Sequence, residues 1–127
     1  MAADKNMPIL IIDDYKTMLR IIKGLLQQIG FDNVDEATDG EMALQKINEK
    51  KYGLIISDWN MEPMSGFELL KRLRSDERHK TIPFIMITAE SKTENVVAAK
   101  QAGVNNYIIK PFNADTLKAK ITAVFGA

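Results

Sequence analysis

The sequence predicts an α/β fold in which a doubly wound, five-stranded parallel sheet carries five helices on its two faces. Three observations predict it. Isoleucine-rich apolar runs at Ile9 to Ile12, Leu54 to Ile56 and Phe84 to Ile87 are too short for helices. They are continuous rather than alternating, as strands covered on both sides are. Between them lie segments with apolar residues at helical spacing, and the alternation of strand and helix calls for right-handed crossovers.

In chain order, Ile9 to Ile12 is the first strand, and Lys16 to Ile29 the first helix. Met18, Leu19, Ile22, Leu25, Leu26 and Ile29 share one stripe of that helix, and Gly30 stops it. Val34 to Ala37 is a weaker strand. Asp39 is placed to cap a second helix carrying Met42, Leu44 and Ile47. Leu54 to Ile56 is the third strand. Ser65 with Glu68, and Ser91 with Glu94, have the spacing of capping boxes. They would open a third helix, with Phe67, Leu69, Leu70 and Leu73, and a fourth, with Val96, Val97 and Ala99. Phe84 to Ile87 and Tyr107 to Ile109 are the remaining strands, and Ala114 to Phe125, after Asn113, is the fifth helix. The methionines fall on these stripes and strands and read as core filler. Met61 and Met64 are exceptions, lying in the loop after Asp58. His79 stands in the polar stretch from Ser75 to Thr81 and reads as an exposed loop residue without a catalytic role.

A chain of 127 residues is one domain, 1–127, with no output domain expected. Its 17 basic and 17 acidic residues cancel, so broad electrostatic capture of nucleic acid or of an anionic membrane is not expected. The start is polar and its apolar run ends at two aspartates, which fits neither a signal peptide nor a membrane span, so a cytoplasmic protein is expected. The absence of cysteine excludes disulfides, thiolate metal sites and cysteine nucleophiles.

In a sheet of this kind ligands sit beyond the carboxyl ends of the strands. Those ends carry Asp13 and Asp14, Ser57 and Asp58, Thr88, and Lys110. Taken singly, each has an ordinary explanation: a helix cap, a turn residue, a strand-end hydroxyl, a solvated lysine. Their joint placement at four strand ends is what points to chemistry. Carboxylates about 4 Å apart repel by roughly 4 kcal/mol at an effective dielectric near 20, so a converged set wants a cation. All-oxygen ligands open to water suit Mg²⁺, and Lys110 would then serve a phosphate, as in a phosphoryl-transfer site.

Asp13-Asp14 after the first strand, Asp58 after the third, Thr88-Ala89 after the fourth and Lys110-Pro111-Phe112 after the fifth resemble the signature of two-component response-regulator receiver domains along the whole chain. The likeness is greatest to the chemotaxis members, through Ser57-Asp58-Trp59-Asn60-Met61, Thr88-Ala89-Glu90, Glu94-Asn95 and Gln101-Ala102-Gly103. The resemblance implies a flavodoxin-like strand order, 2-1-3-4-5, and a cis Lys110-Pro111 bond. It implies that Asp58 accepts a phosphoryl group, that Asp13, Asp14, Asp58 and the backbone carbonyl of Asn60 hold Mg²⁺, and that Lys110 contacts the phosphoryl group. Thr88 would turn toward that group and Tyr107 would follow inward, reshaping the face made by helix four, strand five and helix five. Asn60 and Glu90 match the chemotaxis pattern, implying a phosphoryl group that lasts seconds to minutes.

The implied function is a stand-alone, monomeric response regulator rather than an enzyme, catalysing only its own phosphorylation and dephosphorylation. Its implied partners are a histidine kinase, a downstream target such as the flagellar motor switch, and a phosphatase. A phosphorelay or cell-cycle adaptor is the alternative within the family. A Mg²⁺-dependent phosphatase working through an aspartyl phosphate is the alternative outside it, disfavoured because its nucleophile normally follows the first strand and no substrate-covering cap is present. A nucleotide or flavin module is disfavoured because no Gly-rich loop follows Ile12. One departure stands out: where many receivers read Met-Pro-x-Met-Asp-Gly, this chain reads Met61-Glu62-Pro63-Met64-Ser65-Gly66, with an added carboxylate.

Overall fold

A computed structural model describes residues 4–89 and 92–125. The elements run β1 (Ile9–Ile12), α1 (Lys16–Gln28), β2 (Val34–Ala37), α2 (Gly40–Glu49), β3 (Leu54–Asp58), α3 (Gly66–Arg74), β4 (Phe84–Thr88), α4 (Thr93–Gln101), β5 (Asn106–Ile109) and α5 (Ala114–Phe125). The strands pair in parallel in the order β2-β1-β3-β4-β5, the order expected.

Strand side chains alternate between faces, so each continuous apolar run feeds two cores at once. Leu10, Ile12, Ile55, Phe84 and Met86 pack under α2, α3 and α4 with Ala43, Ile47, Leu69, Leu70, Leu73 and Ala99. Ile9, Ile11, Leu54, Ile56, Ile85, Ile87 and Ile108 pack under α1 and α5 with Leu19, Ile22, Leu26, Leu117 and Ile121. Truncating one such leucine to alanine costs about 2–5 kcal/mol. At the β2 edge Asp35 accepts a hydrogen bond from Tyr52 Oη at 2.7 Å and pairs with Lys50 at 3.0 Å, which explains how an acidic residue sits in a strand.

The helix ends follow local chemistry. Asp39 Oδ1 accepts from Met42 N at 2.8 Å and Ser65 Oγ from Glu68 N at 3.1 Å, both as expected. At the end of α1, Gly30 takes φ 101°, with Gly30 N donating to Gln27 O at 3.1 Å and Phe31 N to Leu26 O at 2.9 Å. This closure needs a left-handed residue, which glycine supplies without a side-chain clash. Ser91 and Glu90 lie outside the described residues; α4 starts at Thr93 with Lys92 at its N-cap and no side-chain cap.

Three expectations are corrected. His79 is buried, and its Nε2 meets Asn48 Oδ1 at 2.9 Å, because the turn after α3 folds back against α2. Met42 is 37% exposed, because α2 turns Gly40, Ala43 and Ile47 inward instead. Val97 is 45% exposed, and Ala99 is the one fully buried residue of α4. Met61 and Met64 are buried and join the core beneath the loop after β3.

Candidate functional site

The pairing register builds the site. Ile12 stands opposite Ser57, which brings Asp13 beside Asp58; Asp58 stands opposite Ile87, and Thr88 opposite Ile109, which brings Lys110 to the same edge. The amide of Asp13 still donates to Ala37 O at 3.2 Å, and that of Lys110 to Thr88 O at 2.8 Å, so both residues extend their strands by one hydrogen bond. Asp58 and Thr88 are themselves the last residues of their strands.

Carboxylate oxygens of Asp13, Asp14 and Asp58 lie within 4.8 Å of one another. Lys110 Nζ lies 3.2 Å from Asp58 Oδ1 and 3.8 Å from Asp13 Oδ2. Asp13 and Asp58 are buried while Asp14 is exposed. Asp13 Oδ1 accepts a hydrogen bond from Tyr15 N at 3.0 Å, whereas Oδ2 is buried with no hydrogen-bond partner. Tyr15, not either aspartate, occupies the N-cap of α1, so the capping explanation for the Asp13-Asp14 pair does not hold.

The electrostatics agree with the geometry. Burial pushes the Asp13 carboxyl up to about 6; the Tyr15 amide opposes this, the Asp58 and Asp14 charges add to it, and Lys110 opposes it. Burial also raises Asp58, against the pull of Lys110. Three carboxylates against one ammonium leave two negative charges, the charge of one divalent cation. A buried carboxylate oxygen that accepts no hydrogen bond, in an all-oxygen, partly open set, suits a hard cation such as Mg²⁺. The residues present therefore fit that ion.

The loop after β3 is held close to the acceptor strand. Gly66 N donates to Trp59 O at 2.8 Å, and a Cβ at Gly66 would collide with the backbone oxygen of Asp58. Trp59 stacks on Phe67 with ring centroids 5.0 Å apart and meets Tyr107 edge-on at 6.3 Å. Tyr107 is buried, and Thr88 is fully buried at the end of β4. Lys110-Pro111 is cis, as expected, and so is Glu62-Pro63, which was not foreseen. Asn60 and Glu62 line, with Asp14, a cleft of about 300 Å³ beside the site. This cleft was not foreseen from the sequence, although the added Glu62 carboxylate in its lining was noted. Val97 and Ile109, on α4 and β5, are exposed apolar residues.

The family profile for the response regulator receiver domain matches residues 9–122. The chemotaxis protein CheY-3 of Vibrio cholerae is 51% identical over 122 residues, covering 96% of this chain and 94% of that protein. The solved structure of Vibrio cholerae CheY4 superposes with a TM-score of 0.87 at 34% identity, covering 94% of this chain and 98% of the other. The receiver domain of a Pseudomonas aeruginosa sensor histidine kinase, solved with magnesium in its active-site cleft, superposes with a TM-score of 0.85 at 24% identity, covering 96% and 99%. Among the described residues no helix is long and apolar enough to cross a membrane.

Proposed function

The chain belongs to the response regulator receiver domain family, and from that premise we propose that it is a chemotaxis phospho-switch that takes a phosphoryl group from a histidine kinase onto Asp58. The observation that carries the proposal is the convergence of Asp13, Asp14 and Asp58 with Lys110, leaving a buried Asp13 oxygen without a hydrogen bond.

Asp58 supplies the nucleophile. One of its carboxylate oxygens attacks phosphorus in line while the bond to the donor breaks, giving an acyl phosphate on the side chain. Lys110, already 3.2 Å from that carboxylate, is placed to neutralise phosphoryl oxygens as they arrive. Asp13, Asp14, Asp58 and the Asn60 carbonyl would hold Mg²⁺. When bound, that ion supplies the positive charge that lets two anions approach. The magnesium in the receiver of the Pseudomonas kinase supports this choice of ion.

Thr88 is the buried last residue of β4, and Tyr107 stands two residues before the end of β5. Movement of Thr88 toward the new phosphoryl oxygen would free space that Tyr107 follows, altering the α4-β5-α5 face. Exposed Val97 and Ile109 give that face the apolar surface a partner needs. The flagellar motor switch is the proposed target, and a phosphatase the proposed means of resetting the signal.

The experiment is phosphorylation by acetyl phosphate with Mg²⁺, followed by intact-mass and peptide analysis. A single phosphoryl group on Asp58 is expected, absent in Asp58→Asn and in EDTA. Undiminished labelling of Asp58→Asn refutes the assignment.

A further inference from the structure

We infer that the cleft between α1 and β2 is a docking surface for an acidic protein segment, one that carries carboxylates a helical turn apart. The inference goes beyond the proposed phospho-switch and does not rest on Asp58. The cleft borders β2, one edge of the sheet, whereas β5 and the face assigned to the motor switch form the other. Both surfaces can therefore be occupied together.

The cleft, of about 490 Å³, is lined by Lys16, Leu19, Arg20, Lys23, Glu36 and Thr38. Lys16, Arg20 and Lys23 stand at i, i+4 and i+7 of α1, which places them on one stripe spread over about 10 Å. Leu19 is buried, and exposed Glu36 is the one carboxylate in the lining. Among the described residues none of the three cations forms an ion pair. Three cations against one carboxylate leave the lining two positive charges, in a chain whose net charge is zero.

The stability of α1 does not account for this stripe. Lys16 opens the helix and no acidic residue stands in its first turn, so an ammonium meets the positive end of the helix dipole. Like charges at i, i+4 and i, i+3 repel as well. Both effects weaken the helix, and no ion pair offsets them. Local rules broken without local compensation mark a surface kept for binding.

The lining selects the occupant. A polyphosphate would bring a dense, continuous charge against Glu36. A segment with one carboxylate per turn matches the three cations and leaves a neutral side chain opposite Glu36.

The test titrates the full chain into a fluorescein-labelled, alanine-based helical peptide with glutamates at i, i+4 and i+7, read by anisotropy at about 0.05 M salt. Arg20→Gln is expected to weaken binding about two- to fivefold, and Lys16→Gln, Arg20→Gln and Lys23→Gln combined about tenfold. The combined variant relieves repulsion within α1, so its urea midpoint should equal or exceed that of wild type and its loss of binding is not a loss of fold. Lys118→Gln, on α5, should bind as wild type does. A peptide of the same composition with its glutamates spread around the helix should bind at least about threefold more weakly. Equal binding of the two peptides, an equal loss in Lys118→Gln, or no binding at about 1 mM chain overturns the inference. Tighter binding of inorganic polyphosphate than of the peptide at equal total charge assigns the cleft to phosphates and overturns it as well.

Discussion

Lys110 Nζ lies 3.2 Å from Oδ1 of Asp58, so the cation of the described site is engaged with the carboxylate assigned to accept the phosphoryl group. Removing it has opposite effects on two processes. Lys110→Met is expected to bind Mg²⁺ about tenfold more tightly, because a like charge has left the pocket. The same change should slow labelling of Asp58 by about 10²-fold, because a donor aimed at developing charge is lost. Trp59 emission during a Mg²⁺ titration reads the first effect and intact mass the second. Unchanged metal affinity would exclude Lys110 from the electrostatics of the site.

Asp13 gives the site a pH dependence. Its carboxyl is raised from 3.8 to about 6 on folding, so the folded chain holds this proton more tightly than the unfolded one. The resulting stability is fully present below about pH 3.8 and is lost as pH rises to about 6. Above that, ionised Asp13 disfavours the metal-free fold by roughly 3 kcal/mol. In EDTA, Asp13→Asn is expected to exceed wild type by about 1–3 kcal/mol at pH 7.5 and to match it at pH 4. Adding Mg²⁺ at about ten times its Kd should restore about 1.4 kcal/mol to wild type alone. Urea denaturation at the two pH values checks both, and equal stability at pH 7.5 contradicts the cost of burying the Asp13 charge.

Thr88 and Tyr107 are separable from the acceptor chemistry. Thr88→Ala removes one hydroxyl from the end of β4 and is expected to destabilise the fold by about 1 kcal/mol. Labelling of Asp58 should stay within about threefold of wild type, while the gain in partner affinity on phosphorylation falls at least about tenfold. The Tyr107 ring resonances, expected to shift on phosphorylation in wild type, should stay in place. A normal shift in labelled Thr88→Ala removes Thr88 from the relay.

Two glycines give opposite expectations for the same substitution. A Cβ on Gly66 meets the backbone oxygen of Asp58, whereas nothing lies within 4 Å of one on Gly24. Gly66→Ala is expected to cost about 2 kcal/mol or more and to displace the loop bearing Trp59 and Asn60. Gly24→Ala, inside α1, should add about 0.5–1 kcal/mol. Urea midpoints rank the three chains, and a stable Gly66→Ala with unaltered Trp59 emission rules out the close approach.

How much of this was legible in the sequence depends on whether the signal was local. The strands at Ile9, Leu54 and Phe84 were legible because a parallel sheet buries both faces and leaves an unbroken apolar run. The caps at Asp39 and Ser65 were legible because their partners lie three residues away. The burial of His79 was not, since its cover is Asn48 on another helix, 31 residues earlier in the chain. Met42 misled because α2 presents glycine and alanine to the sheet, and small inward residues carry little hydrophobic signal. The chemistry of the site followed from residue types at strand ends, but the pairing register is what brings Asp13, Asp58 and Lys110 within contact of one another.

The meagre anchorage of α4 has a consequence for motion. Its nine residues place one side chain, Ala99, fully in the core, with Val96 partly buried against it, and burying a methyl contributes only about 0.8 kcal/mol, less than the entropy of fixing a single residue's backbone. Excursions that open α4 therefore lie far below the free energy of unfolding the whole chain, and its amides should exchange with deuterated solvent long before those of β1 and β3. The α4 portion of the surface proposed to meet the target is thus lightly held, so a hydroxyl shifting at the end of β4 needs little work to redistribute its conformers.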